Sequence, residues 1–239
     1  MLGRVKMAAS GRGLKKEVSR KLGELPLDEL LKFSDQHSAQ AMVHGLFSCL
    51  CSSREKVRWL AISVFGHVMA RLADEDMERA RIVMRRFMWM LNDESGGIGW
   101  GVPEAFAESV ACHERLAQEY IHMLVSYMRE EGFFLELEEL QRGLMWGVGR
   151  AAQKRRILLL EKNAVVHLLP YLDSKDAAVR GLASWASGNL WAQESEEKIR
   201  ALLNDAAEVR FYEQGRFSTV TVGQCAAQAL QRIEQSKHI

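Results

Sequence analysis

One pattern of residues returns along this chain at intervals of about 41. Its clearest copy runs from Val165 to Gly188, and it reads as two amphipathic helices joined by a polar turn at Asp173-Ser174-Lys175-Asp176. Leu168, Leu169 and Leu172 form the apolar stripe of the first helix. Val179, Leu182, Ala183 and Ala186 have the spacing of one face of the second. Shifting this unit back by 122 residues superposes Leu172 on Leu50, Val179 on Val57, Arg180 on Arg58, Leu182 on Leu60, Ala183 on Ala61 and Gly188 on Gly66. Six identities in one register, at about three times the period, imply further copies in between.

Those copies are weaker. Leu91 and Phe133 continue the spacing from Leu50 to Leu172, Ala107 matches Gly66 at one repeat, and Gly149 matches it at two. A fifth copy follows in Val222, Ala226, Ala229 and Ile233. It carries an insertion, because Leu203 to Val222 spans 19 residues where Leu172 to Val179 spans 7. The inserted Val209-Arg210-Phe211-Tyr212-Glu213-Gln214-Gly215-Arg216-Phe217-Ser218-Thr219-Val220 is rich in β-formers around a glycine, which predicts a short hairpin or extended loop over 208–221. A lone helix pair cannot bury its apolar stripe, and stacked neighbours supply a continuous core. The expected fold is therefore all-α: an α-solenoid of about five helical hairpins forming one domain over residues 1–239, interrupted by that insertion.

The run Leu172-Asp-Ser-Lys-Asp-Ala-Ala-Val-Arg-Gly-Leu-Ala183 resembles the core of a HEAT repeat, including the turn Asp and the Val-Arg that follows it. Residues 50–66 are similar, with Cys51-Ser52-Ser53 in place of Asp173-Ser174-Lys175. The chain resembles in particular the small bacterial HEAT proteins grouped with phycobilisome-lyase repeats. That resemblance implies a binding scaffold without naming its ligand.

Charge is unevenly placed. Residues 1–23 carry Arg4, Lys6, Arg12, Lys15, Lys16, Arg20 and Lys21 against Glu17 alone, while the whole chain is +1, so the remainder is net acidic. This N-terminal segment reads as a basic arm or as a cap on the first repeat, with Pro26 opening the helix of Leu27-Asp28-Glu29-Leu30-Leu31. No apolar stretch has the length of a membrane helix, and no secretory signal precedes the repeats, so a cytoplasmic protein without membrane contact is expected. Cys49, Cys51, Cys112 and Cys225 are too scattered for a disulfide framework and lack the pairing of a zinc site. The seven histidines form no HExxH, and no nucleophile motif is present. Hence no metal, cofactor or catalytic residue is expected.

Two features remain. Gly96, Gly97, Gly99 and Gly101 crowd the approach to a helix containing Pro103; without a preceding strand or a Lys-Ser/Thr pair they read as a tight inter-helix turn rather than a phosphate cradle. Trp100, Trp146 and Trp185 recur near the starts or middles of second helices, and Glu104, Arg150 and Asn189 each follow one of them by four residues. These six are the candidate ligand-binding residues of a concave face, although the tryptophans fit packing between repeats as well. The expected function is a non-enzymatic scaffold gripping a protein or peptide. The alternative is a nucleic-acid enzyme, since alkylpurine DNA glycosylases are HEAT-like solenoids of similar length with concave tryptophans, an Asp and basic groups. Lys154-Arg155-Arg156 favours it; the near-neutral charge and the acidic run Glu136-Leu-Glu-Glu139 do not.

Overall fold

The computed structural model describes residues 11–92 and 99–238. Five helical hairpins stack in sequence order: α3 (Ala39–Leu50) with α4 (Glu55–Glu75), α5 (Met77–Leu91) with α6 (Val102–Cys112), α7 (Glu114–Ser126) with α8 (Glu138–Glu161), α9 (Ala164–Leu168) with α10 (Ala177–Leu190), and α11 (Glu196–Ala201) with α12 (Val222–Ser236). Before them lie α1 (Gly11–Glu24) and α2 (Leu27–Asp35). The second helices α4, α6, α8, α10 and α12 pack successively on one another as an inner layer, and the first helices form the outer one.

Local chemistry sets the corners between hairpins. Asp76 ends α4 by donating its N–H to Leu72 and caps α5 by accepting the Arg79 N–H at 3.1 Å, so one extended residue joins the two helices. His113 is likewise the single extended residue between α6 and α7, and its ring Nδ1 caps α7 by accepting the Leu116 N–H at 3.3 Å. Asp176 caps α10 from the polar turn of the clearest repeat, with the Val179 N–H at 2.9 Å.

The inner helices approach closely because small residues face one another. A Cβ on Gly147 would lie 2.7 Å from that of Ala107, and one on Gly188 would lie 2.7 Å from the Cα of Ala229. Ala61 and Ala183, matched by the repeat, are both wholly buried. Phe133, which continues the leucine spacing, is instead exposed in the turn after α7; Leu135 enters the core there and donates its N–H to Tyr127. Of the basic N-terminal segment, residues 11–23 lie in α1, whose Leu14, Val18 and Leu22 pack against α3. Residues 1–10 are outside the described residues.

The insertion is a hairpin of β1 (Glu208–Glu213) and β2 (Arg216–Thr221), paired antiparallel from Glu208↔Thr221 to Glu213↔Arg216. Gln214 and Gly215 turn it with φ of 49° and 81°, the two-residue turn whose twist suits antiparallel strands. Thr221 then opens α12 with a reciprocal cap: its hydroxyl accepts the Gln224 N–H and the Gln224 side chain accepts its own.

Candidate functional site

The hairpin does not hang off the solenoid. It stands edge-on across the inner layer, and the alternation of a strand explains how. In this register the Tyr212 main chain points away from β2. Its carbonyl accepts a 2.9 Å bond from Trp146 Nε1 on α8, which caps the free edge of β1. Tyr212 turns to one side, where its ring stacks on Trp59 of α4 at 4.7 Å and its hydroxyl meets Ser63 Oγ at 2.7 Å. Phe211 turns to the other and meets Trp185 of α10 edge to face at 5.0 Å, while Val209 fills the notch over Gly181. Arg210 reaches Glu55 of α4, and the turn residue Gly215 touches Leu27 of α2. One strand thus contacts both the N-terminal and the C-terminal repeats. Burial lifts the Tyr212 phenol to about 12, against the lowering effect of its bond to Ser63, so it stays a neutral phenol.

Beside the hairpin the inner layer leaves a cleft of about 650 Å³. Trp146, Trp185 and Tyr212 form its aromatic wall, and Leu27, Leu31 and Ala70 an aliphatic one. Its polar floor is the bidentate pair of Glu108 with Arg150, at 2.7 Å from Nε and 2.9 Å from Nη2. Gly66 makes room for this pair, because a Cβ there would lie 2.5 Å from the Glu108 Cγ. Cys112 donates to the same carboxylate at 3.4 Å, and burial together with that charge pushes its thiol up to about 12. It is therefore a thiol, not a nucleophilic thiolate. Gln153, Lys154 and Glu213 stand at the rim, with Gln153 donating to Glu213 at 3.0 Å.

Of the six residues singled out from the sequence, Trp146, Arg150 and Trp185 come together in this cleft. Both tryptophans are also buried between repeats, the Trp185 ring lying against Gly149, so packing and lining are one role here. The other three lie elsewhere. Trp100 is exposed just before Gly101, whose φ of 70° and approach to the Leu50 carbonyl leave no room for a side chain. Residues 93–98, which hold Gly96 and Gly97, are outside the described residues. Glu104 is buried against Gly143 of α8 with one carboxylate oxygen unpartnered. Burial raises its carboxyl to about 7, with Arg58 pulling weakly the other way. Asn189 is an internal clamp, donating to the Gly149 carbonyl at 3.1 Å and accepting from Arg232 of α12.

The sequence reading missed Trp59, Ser63, Glu108 and Tyr212. Glu108 had a legible signal: it precedes Arg150 by 42 residues, one repeat, so opposite charges fall at equivalent points of neighbouring inner helices. The Gly149–Asn189 and Asn189–Arg232 bonds span 40 and 43 residues by the same logic. Tyr212 lies in the insertion, where no repeat predicts its neighbours. Among the described residues no cluster of three or more His, Cys, Asp or Glu is arranged to hold a metal, and no helix is long and apolar enough to cross a membrane.

This architecture defines the chain as a helical-repeat solenoid with a strand seated on its inner layer. No protein-family model matches the sequence, and no curated protein matches it. Solved structures share the fold. An engineered protein is 15% identical with a TM-score of 0.57, covering 96% of this chain and 93% of its own. A designed armadillo repeat protein is 17% identical with a TM-score of 0.55 over 95% and 96%. Another designed armadillo repeat protein, solved in complex with the peptide (KR)4, is 18% identical with a TM-score of 0.56 over 95% of each chain.

Proposed function

We propose that this chain is a non-enzymatic scaffold whose inner face holds an extended segment of a protein or peptide partner. One observation carries the reading: that face already grips an extended strand by its main chain, through the Trp146 indole N–H on the Tyr212 carbonyl, with aromatic and hydroxyl contacts at the side chains. A donor aimed at a backbone carbonyl suits any extended sequence, and flanking aromatic pockets select among them. The similarity to a designed armadillo repeat protein in complex with a peptide supports the same reading. The finer placement, among HEAT proteins of the phycobilisome-lyase-repeat group, rests on the resemblance of residues 50–66 and 172–183 alone.

Electrostatics favour a peptide over nucleic acid. Around the cleft Arg150 and Lys154 are balanced by Glu108 and Glu213, Arg150 is already bonded to Glu108, and the described lining contains no aspartate. A phosphate backbone calls for a coherent basic stripe.

A displayed library of random linear peptides, panned against the full chain, tests the proposal. Enriched peptides should lose roughly tenfold in affinity on Gln153→Ala or Lys154→Ala, as expected for one polar or charged contact removed. Lys154 is exposed at the rim, so Lys154→Ala should leave the melting temperature unchanged. Failure to enrich any peptide, or binding indifferent to both substitutions, would sink the reading.

A further inference from the structure

The hairpin behaves in three respects as an occupant of the inner face. It is an insert on a closed base: the Val222 N–H donates to the Ala207 carbonyl at 3.0 Å and the Gly223 N–H to the Asp205 carbonyl at 2.9 Å, so the chain leaves and returns at one point. The groups that grip it come from other repeats, since Trp59 and Ser63 lie on α4, Trp146 on α8 and Trp185 on α10, none of them on the flanking α11 or α12. It also leaves its berth incompletely filled. Tyr212, Glu213 and Gln214 line the cleft together with Leu27 and Leu31 of α2, so open space remains beside the strand even though the turn at Gly215 meets Leu27.

We infer that the β1–β2 hairpin is a resident strap that a partner's extended segment replaces, and that this segment carries the chemistry of Val209–Glu213. That chemistry is an aliphatic residue over Gly181, an aromatic on Trp185, a hydroxylated aromatic between Trp59 and Ser63, and then a carboxylate near Gln153. The inference rests on the scaffold reading above and specifies both its ligand and its control. The incoming segment remakes the Trp146 bond and the side-chain packing that the strap gives up, and it must also offset the advantage the strap has by being tethered. The further surface open to it in the cleft then decides the direction, and only a segment matching the berth reaches that surface.

The test compares the full chain with a variant in which residues 208–221 are replaced by a short glycine linker, which the Ala207–Val222 bond shows to be sterically simple. The probe is a fluorescein-labelled synthetic peptide with the sequence of residues 206–214, read by polarisation. The excised chain should bind it at least tenfold more tightly than the full chain, and Ser63→Ala in the excised chain should weaken it roughly tenfold, the effect of one hydrogen bond. No binding by a helical, cooperatively melting excised chain, or equal binding by both chains, overturns the inference. Amide exchange in the intact protein keeps the question decidable if excision prevents folding. The Phe211 and Glu213 amides should exchange at least a hundredfold faster than the slowest amides of α8, showing that the strap opens on its own. Exchange of both sets at the same rate overturns it. Peptides from panning that bind the full chain without altering hairpin exchange would retain the scaffold and remove the strap.

Discussion

The inner ladder and the strap hold the same molecule together by opposite means. Between α6, α8, α10 and α12 the contacts are small and regular: Gly147 on Ala107, Gly188 on Ala229, and polar bonds between residues 40 to 43 apart. Each rung involves only adjacent repeats, so its contribution is local and repeatable. The hairpin has no counterpart in the other repeats, relies on large aromatic rings, and touches α2, α4, α8 and α10 at once. A ladder of this kind can be lengthened by adding units; the strap instead ties α4, α8 and α10 to one another across the stack. The contrast teaches that the periodic part of the sequence builds the surface and the aperiodic part decides what reaches it.

The largest expected effect strikes the ladder. Ala183→Glu forces an unpaired charge into a wholly buried site on α10, the helix that packs against both α8 and α12, and should lower stability by roughly 4 kcal/mol. An unchanged urea midpoint would show that the small residue matched by the repeat at this position is not part of the core. Tyr212→Ala is the matching blow to the strap. Loss of its stacked ring and hydroxyl should cost about 3 kcal/mol or less, since the effect cannot exceed the free energy of seating the hairpin. A larger loss in the helical melt would erase the distinction between the two regions.

Glu104→Gln probes the ladder through pH. The folded carboxyl titrates at about 7, above its ordinary 4.5, so the native state favours the protonated form. Stability is therefore full below the unfolded value and declines as pH rises through the folded one, by roughly 3 kcal/mol in total. The glutamine variant should show no such decline and should exceed the parent at pH 8 but not at pH 4. Equal differences at both pH values would mean that Glu104 is ionised without penalty. The smallest effect belongs to Gly215→Ala at the tip of the strap. A φ of 81° and a new Cβ 3.0 Å from that of Leu27 should cost about 1 kcal/mol, readable as faster amide exchange in β1. No change there would mean that the tip is not seated on α2.

Legibility in the sequence followed the same division. The units at 50–66 and 172–188 revealed the stack because their buried positions demand the same residue types each time: Val57 and Val179, Ala61 and Ala183. Phe133 misled the register because the turn after α7 can hold an exposed aromatic where Leu135 does the packing. Trp146, Arg150 and Trp185 were marked by the recurrence of a Trp with a polar residue four positions on, which left open whether the rings line a face or pack between repeats. Asn189 could not be separated from them, because an internal clamp between helices and a ligand contact use the same polar amide at the same spacing. Trp59 lay within the best-matched unit yet showed no role until Tyr212 was stacked against it. Nothing in a strand-forming insertion says where across the fold its side chains will land.

The contact between Gly215 and Leu27 joins segments far apart in the sequence, and this bears on how the molecule is made. Adjacent hairpins can close as soon as each is synthesised, because their partners are close in sequence. The aromatic berth on α4 must wait until the hairpin has left the ribosome, after every other inner helix except α12. During that interval Trp59 and Trp146 lie uncovered on a nearly finished stack, a contact order far above that of the repeats beneath it. Nascent chains stalled before residue 208 should therefore be held by chaperones that recognise exposed aromatic surface, and released once the hairpin has emerged.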